Sequence, residues 1–195
     1  MTAQRLQEIA LKFFAEKGYD GTSLADIAGE IGIKKPSIYA HYPSKLDLFL
    51  AVVDTAMHDY RQSWRHALDQ DATMPADQRL QSLFEELGSC FLRDRVKLAF
   101  WVRVWFFPPA DCPAVVREAF KTITGEFLTE VAAIFRSGME QGSLRPGPAD
   151  DLAHALYSLL LGFLMRTYAY EDIDHLRLLR QTWECFMFGI KTEIG

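Results

Sequence analysis

Residues 13–53 read FFAEKGYDGTSLADIAGEIGIKKPSIYAHYPSKLDLFLAVV, and a few punctuating residues divide the stretch into helices. Gly18 closes a first helix, whose apolar positions Leu6, Ile9, Ala10, Phe13 and Phe14 recur at the i, i+3, i+4, i+7, i+8 spacing of one helical face. Ser23-Leu24-Ala25-Asp26 has the form of a capping box, in which a hydroxyl and a carboxylate satisfy unpaired amides at a helix start; it predicts a second helix to about Ile31. Gly32 suits the left-handed closure of that helix, and Pro36 suits the first turn of a short third one, near Lys35 to Tyr42. A second box, Ser44-Lys45-Leu46-Asp47, opens a fourth helix carrying Leu46, Phe49, Leu50, Val53, Met57, Tyr60 and Trp64 at helical spacing, to about His66.

Two short helices joined by a Gly-containing turn form a helix-turn-helix, whose second helix can enter the major groove of DNA. The residue types agree. Ser37, Tyr39, His41 and Tyr42 offer hydroxyl and imidazole groups on the short helix, and Lys34, Lys35 and Lys45 flank it with cations for phosphates. The helix starts at Thr22-Ser23 and Ser44-Lys45 add amides and a partial positive charge, a second way to hold phosphate.

Over roughly residues 5–53 this pattern resembles the DNA-binding region of the TetR family of bacterial transcriptional regulators. The resemblance implies an all-α chain of about nine helices: an N-terminal three-helix DNA-binding domain over residues 1–46, then a helical ligand-binding and dimerisation domain over 47–195. It places Ser37, Tyr39, His41 and Tyr42 on or beside the recognition helix, with Tyr42 and Lys45 on the DNA backbone and Ala40 facing bases. Two positions depart from the family pattern. Lys34 stands where a Ser or Thr cap is common, and Ala40 lacks a hydrogen-bonding group, leaving contact with a thymine methyl. The DNA-binding set is thus Thr22, Ser23, Lys34, Lys35, Ser37, Tyr39, Ala40, His41, Tyr42 and Lys45.

Beyond the polar break at Asp69 to Pro75, helical patterns continue through Leu80 to Phe91, Val96 to Phe107, Val115 to Met139, Ala149 to about Tyr170, and about Ile173 to Ile190, with no strand alternation and no repeats. Aromatic density here matches an apolar ligand pocket. The expected ligand-binding residues are Tyr60, Trp64, Phe84, Phe91, Phe100, Trp101, Phe127 and Phe163, with Arg103 and Arg166 as cations in apolar surroundings that can orient an anionic group. Stripes of Phe and Trp also fill cores, so only part of the set is expected to face a cavity. By the resemblance, the last two helices dimerise through Leu156, Leu160, Leu164, Leu179, Trp183, Phe186 and Met187, with Gly162 permitting close approach. The implied function is a homodimeric regulator, a repressor released from near-palindromic double-stranded operator DNA by a small, largely hydrophobic effector.

Bulk properties narrow the alternatives. The net charge is −5; residues 1–50 hold six Lys/Arg against six Asp/Glu, so the deficit falls on the remainder, and DNA binding is expected to be local rather than a basic coat. Three cysteines, Cys90, Cys112 and Cys185, without a CxxC pair argue against disulfides and zinc. The charged N-terminus is unlike a signal peptide, and the longest apolar tract, Ala155 to Met165, is too short to cross a bilayer; a cytoplasmic protein is expected. The histidines form no HExxH, and no nucleophile motif or Gly-rich phosphate loop is present, so neither an enzyme, nor a cofactor, nor a metal is expected. His58 and His66, eight apart on one helix, are a weak metal signal. Two readings remain beside the first: a redox sensor acting through Cys112 in the loop PPADCP, and a helical ligand-binding protein without DNA function.

Overall fold

A computed structural model describes residues 2–69, 74–109 and 114–190; Cys112, and with it the redox reading, lies outside the described residues. Among the described residues the chain is all-α, with nine helices: α1 (Ala3–Lys17), α2 (Leu24–Ile31), α3 (Lys35–Tyr39), α4 (Lys45–Asp69), α5 (Ala76–Arg93), α6 (Arg95–Phe106), α7 (Ala114–Glu140), α8 (Ala149–Ala169) and α9 (His175–Ile190).

The first four boundaries are set by local chemistry. The Thr2 side chain accepts from the Arg5 amide to start α1, and Gly18, at φ 73°, ends it with its amide on the Phe14 carbonyl. Ser23 Oγ accepts from the Asp26 amide at 3.1 Å. Gly32 takes the left-handed conformation (φ 75°, ψ 32°) that a side chain would strain, and Ile33 returns its amide to the Ala28 carbonyl. The Ser44 hydroxyl donates to the Asp47 carboxylate at 2.7 Å while accepting from the Asp47 amide at 3.1 Å. Helix α3 is shorter than the expected span of Lys35 to Tyr42: the His41 and Tyr42 amides both fold back onto the Ile38 carbonyl, and Pro43 follows with no amide to continue.

The helices group into two compact units. One comprises residues up to Asp59 together with Asp94–Glu118, and the other comprises Tyr60–Arg93 together with Ala119 onward. Within the first unit α6 packs on α1, and α4 contributes its start to one unit and its end to the other.

Aromatic rings build the first unit's core. Phe14 of α1 meets Phe49 of α4 edge-on at 5.1 Å, and Phe49 meets Phe100 of α6 at 6.4 Å; all three are fully buried. Each such side chain contributes about 1.5–3 kcal/mol by leaving water. In the second unit α5 packs on α8 and α9. The fit is close where glycines allow it: a Cβ on Gly88 would overlap the Leu179 side chain, and one on Gly138 would lie 2.8 Å from Ala76 Cβ and 2.6 Å from Leu144. The Arg145 amide, beyond α7, donates to the Ile190 carbonyl at the end of α9 (2.8 Å). Among the described residues no helix is long and apolar enough to cross a membrane.

Candidate functional site

Helix α3 is a one-sided ornament on the first unit. Its Ile38 is wholly buried and anchors it, while Lys34, Lys35, Ser37, Tyr39, Ala40 and His41 are all exposed. Tyr39 exposes 46% of its surface, too much for a packing residue of a small domain, and the Lys35 ammonium stands 5.7 Å over its ring. Residues 31–46 contain no Asp or Glu in a chain of net charge −5, so the cations of this small face are not offset by acidic neighbours in the same segment. Such a face offers hydroxyl, imidazole, methyl and ammonium groups on a protruding helix, the vocabulary of base and phosphate contacts.

Four other residues of the expected DNA-binding set occupy different positions. Ser23 is exposed at the start of α2, with its hydroxyl used as the helix cap. Thr22 is 2% exposed, and its hydroxyl lies 2.7 Å from the Gly18 carbonyl, joining the end of α1 to the start of α2. Tyr42 is half-buried, its hydroxyl accepting from Gln7 Nε2 at 2.8 Å. The Lys45 ammonium donates to the Tyr19 carbonyl (2.9 Å) and the Thr22 carbonyl (3.0 Å) and sits 4.2 Å over the Tyr19 ring. Thr22, Tyr42 and Lys45 therefore brace the helix-turn-helix from within, with their polar groups already engaged.

Two braces were not legible in sequence. Gln7 receives a hydrogen bond from Thr55 of α4 (3.1 Å) while donating to Tyr42, so one α1 side chain ties α4 to the tail of α3. Arg103 of α6 donates through Nε to the Ala15 carbonyl (2.6 Å) and through Nη2 to the Glu16 carbonyl (2.7 Å). These are among the last carbonyls of α1, which have no partner within that helix, and a cation there also opposes the helix dipole. The expectation that Arg103 orients a ligand meets a different geometry: both of these donors serve the first unit. Phe100 and Trp101 lie in the same unit, Phe100 on Phe49 and Trp101 between Phe100 and Trp105.

A second constellation occupies the core of the other unit. Tyr60 and Trp64 of α4 meet Thr124 and Phe127 of α7 and Tyr157 of α8. Trp64 and Phe127 are edge-on at 5.8 Å, Phe127 and Tyr157 are tilted at 5.6 Å, and the hydroxyls of Thr124 and Tyr157 are 3.3 Å apart. Burial, then Tyr157 and then Cys90 hold the Tyr60 hydroxyl far above its usual range; burial also raises Tyr157, against the opposing Thr124 hydrogen bond. Both phenols therefore stay protonated. The Trp64 indole Nε1–H is buried without a hydrogen-bond partner in a residue of zero exposure. Charge is kept at the edge: Glu126 accepts from Arg61 (2.9 Å) and lies 3.6 Å from Arg65, whose guanidinium stands 5.4 Å over the Trp64 ring.

Of the expected ligand residues, Tyr60, Trp64 and Phe127 come together in the second unit with Thr124 and Tyr157, whereas Phe100 and Arg103 line a cleft of about 210 Å³ within the first unit. Phe84 packs on Trp183 (5.6 Å) and Phe163 edge-on to His175 (6.5 Å), Phe91 is buried, and Arg166 is exposed. The residues expected at a dimer interface are mostly spent within the chain: Leu156, Leu160, Leu164, Leu179, Trp183 and Met187 are buried, and only Phe186 is half-buried. What α8 and α9 leave outward is an open groove of about 450 Å³ along Leu159, Gln181, Thr182, Cys185 and Phe186, with Phe188 82% exposed on α9.

Comparison with known proteins matches this architecture. The family model described as bacterial regulatory proteins, tetR family, matches residues 8–52, the span of α1–α3 and the start of α4. The HTH-type transcriptional regulator CymR of Pseudomonas putida is 23% identical over 181 residues, covering 93% of this chain and 86% of CymR. The HTH-type negative transcriptional regulator IcaR of the biofilm operon icaADBC in Staphylococcus aureus (strain Newman) is 38% identical over 93 residues, 46% of this chain and 50% of IcaR. A putative transcriptional regulator from Saccharomonospora viridis, solved in complex with choline, superimposes with a TM-score of 0.80 at 23% identity, covering 98% of each chain. Residues 8–52 thus carry a tetR-type helix-turn-helix, and the all-α fold of the chain as a whole is that of solved transcriptional regulators.

Proposed function

We propose that the chain is a repressor that binds a near-palindromic operator as a homodimer and releases it when a small, largely hydrophobic effector enters the second unit. The observation that carries the DNA reading is the exposed face of α3 and its two ends: six outward side chains, two of them lysines, around a helix anchored by one buried isoleucine. In a twofold dimer the two copies of this face lie one DNA turn apart, about 34–36 Å, which selects a palindrome. Repression follows the example of IcaR, a negative regulator. Small-molecule sensing is supported by the aromatic cluster around Trp64 and by a structural neighbour that holds choline.

The dimer contact is assigned to the outward side of α8 and α9, at Leu159, Thr182, Phe186 and Phe188, since the inward side is occupied by the chain's own packing. Helix α4 carries the signal: it begins with Lys45, which braces the DNA-reading motif, and its second half bears Tyr60 and Trp64. Driving the operator from almost fully bound to almost fully free requires a preference of about 10⁴-fold, about 5.5 kcal/mol, for the released state. Operator DNA must weaken effector binding by the same factor. Such a protein acts where the chromosome is, in the cytoplasm.

The test is selection from a random duplex library, with Lys35→Ala/His41→Ala as the control, because both side chains are exposed and unconnected to the core. A near-palindrome enriched by the wild type and lost in the double variant is the expected result. Failure to enrich any sequence at low salt, where phosphate contacts are strongest, removes the DNA function.

A further inference from the structure

Trp64 poses an unpaid debt inside the second unit. Its indole N–H is fully buried and has no acceptor. A lost hydrogen bond of this kind costs about 1–3 kcal/mol, and indole nitrogens in cores nearly always find a partner. Phe127 meets the indole edge-on and offers it no acceptor. The polar groups of this core are therefore an N–H and neutral phenolic O–H groups, held among aromatic rings.

We infer that the effector site of this chain is built around Trp64 for an uncharged, largely aromatic or alicyclic molecule with a carbonyl or ether oxygen, which accepts the hydrogen bond of the Trp64 indole. This deepens the effector reading above and rests on it. The charges nearby decide the class. The Arg65 guanidinium over the Trp64 ring already occupies the face that an organic cation would seek, and repels one. Arg61 and Arg65 are both drawn to Glu126 at the half-exposed edge, so an anion placed beside the indole would lose its water without gaining a counter-charge. A neutral acceptor avoids both costs and satisfies the indole donor.

Two fluorescent naphthalenes test this: Prodan, a neutral ketone whose emission moves to longer wavelength when its carbonyl accepts a hydrogen bond, and 1-anilinonaphthalene-8-sulfonate, an anion. Both are titrated into the wild type and into Trp64→Phe, which keeps an aromatic ring but removes the donor together with part of the indole volume. The expected result is saturable binding of Prodan, at least about tenfold tighter than the sulfonate. Trp64→Phe should weaken Prodan by about tenfold, the equivalent of one hydrogen bond of about 1.4 kcal/mol, and shift its emission to shorter wavelength. The same variant loses volume from a fully buried position and should melt below the wild type, so the hydrogen bond is read from the emission shift and not from stability.

Absence of Prodan binding, tighter binding of the sulfonate, or equal Prodan affinity and emission in the two proteins overturns the inference. Operator retention is measured in parallel on the same samples. Loss of the dye pattern with operator binding intact refutes the effector class alone, whereas a protein that binds Prodan as expected but no operator refutes the regulator reading and leaves the ligand class standing.

Discussion

Replacing Arg103 by methionine separates a brace from a ligand contact. Methionine keeps most of the unbranched stem and removes the two hydrogen bonds, at 2.6 and 2.7 Å, to the last turn of α1. Bonds from a charged donor are each worth about 1.5–3 kcal/mol when solvent is excluded. The Glu16 carbonyl is on the exposed side, where water replaces the guanidinium at little cost, but the Ala15 carbonyl is partly buried and is left without a donor. The net loss is therefore about 2 kcal/mol, which for a chain of this size lowers the melting temperature by about 4–8 °C. Thermal unfolding followed by far-ultraviolet circular dichroism reads this directly. Arg103→Lys, whose single ammonium reaches one carbonyl, should fall between wild type and methionine. Because the end of α1 leads into the segment that Lys45 and Thr22 hold, operator affinity should weaken while Prodan affinity stays at the wild-type value. A melting temperature within about 1 °C of wild type refutes the bracing argument; unchanged stability with lost dye binding would place Arg103 at the ligand instead.

Two further perturbations test the second unit. Gly138→Ala puts a methyl 2.8 Å from the Ala76 Cβ, which has no rotamer to retreat into, and should destabilise the protein by about 1–3 kcal/mol in chemical denaturation, with no direct effect on the α3 face. Tyr60 and Tyr157 both have hydroxyls raised above the free-tyrosine value by burial. Folding therefore favours their neutral forms; the stability they contribute is fully present below about pH 10, where the unfolded chain keeps its phenols protonated, and is lost as pH rises above it. Denaturation midpoints measured across that range should fall more steeply for wild type than for Tyr60→Phe, and equal slopes would show that Tyr60 ionises like a solvated phenol.

What the sequence alone determined is what depends on residues a few positions apart. Gly32 in its left-handed closure, the hydroxyl caps at Ser23 and Ser44, and the apolar stripe ending at Gly18 are set by short-range sterics and hydrogen bonds, so the helix-turn-helix and the exposed α3 face could be read directly. The aromatic stripes likewise announced buried helices, because a 3.6-residue period survives whatever a helix packs against.

Only the tertiary structure decided what each long side chain does. Lys45 reaches back 26 residues, Gln7 joins Tyr42 across 35, and Arg103 spans 88 to the end of α1. No local pattern distinguishes a lysine aimed at a phosphate from one satisfying two backbone carbonyls, or an arginine at a ligand from one closing a helix. The same limit applied to α8 and α9, where apolar residues cover more than one face: Leu156 and Leu164 turned inward and Phe188 outward. Periodicity says that a face will be buried, and packing, through competition among several such faces for a single core, chooses which one.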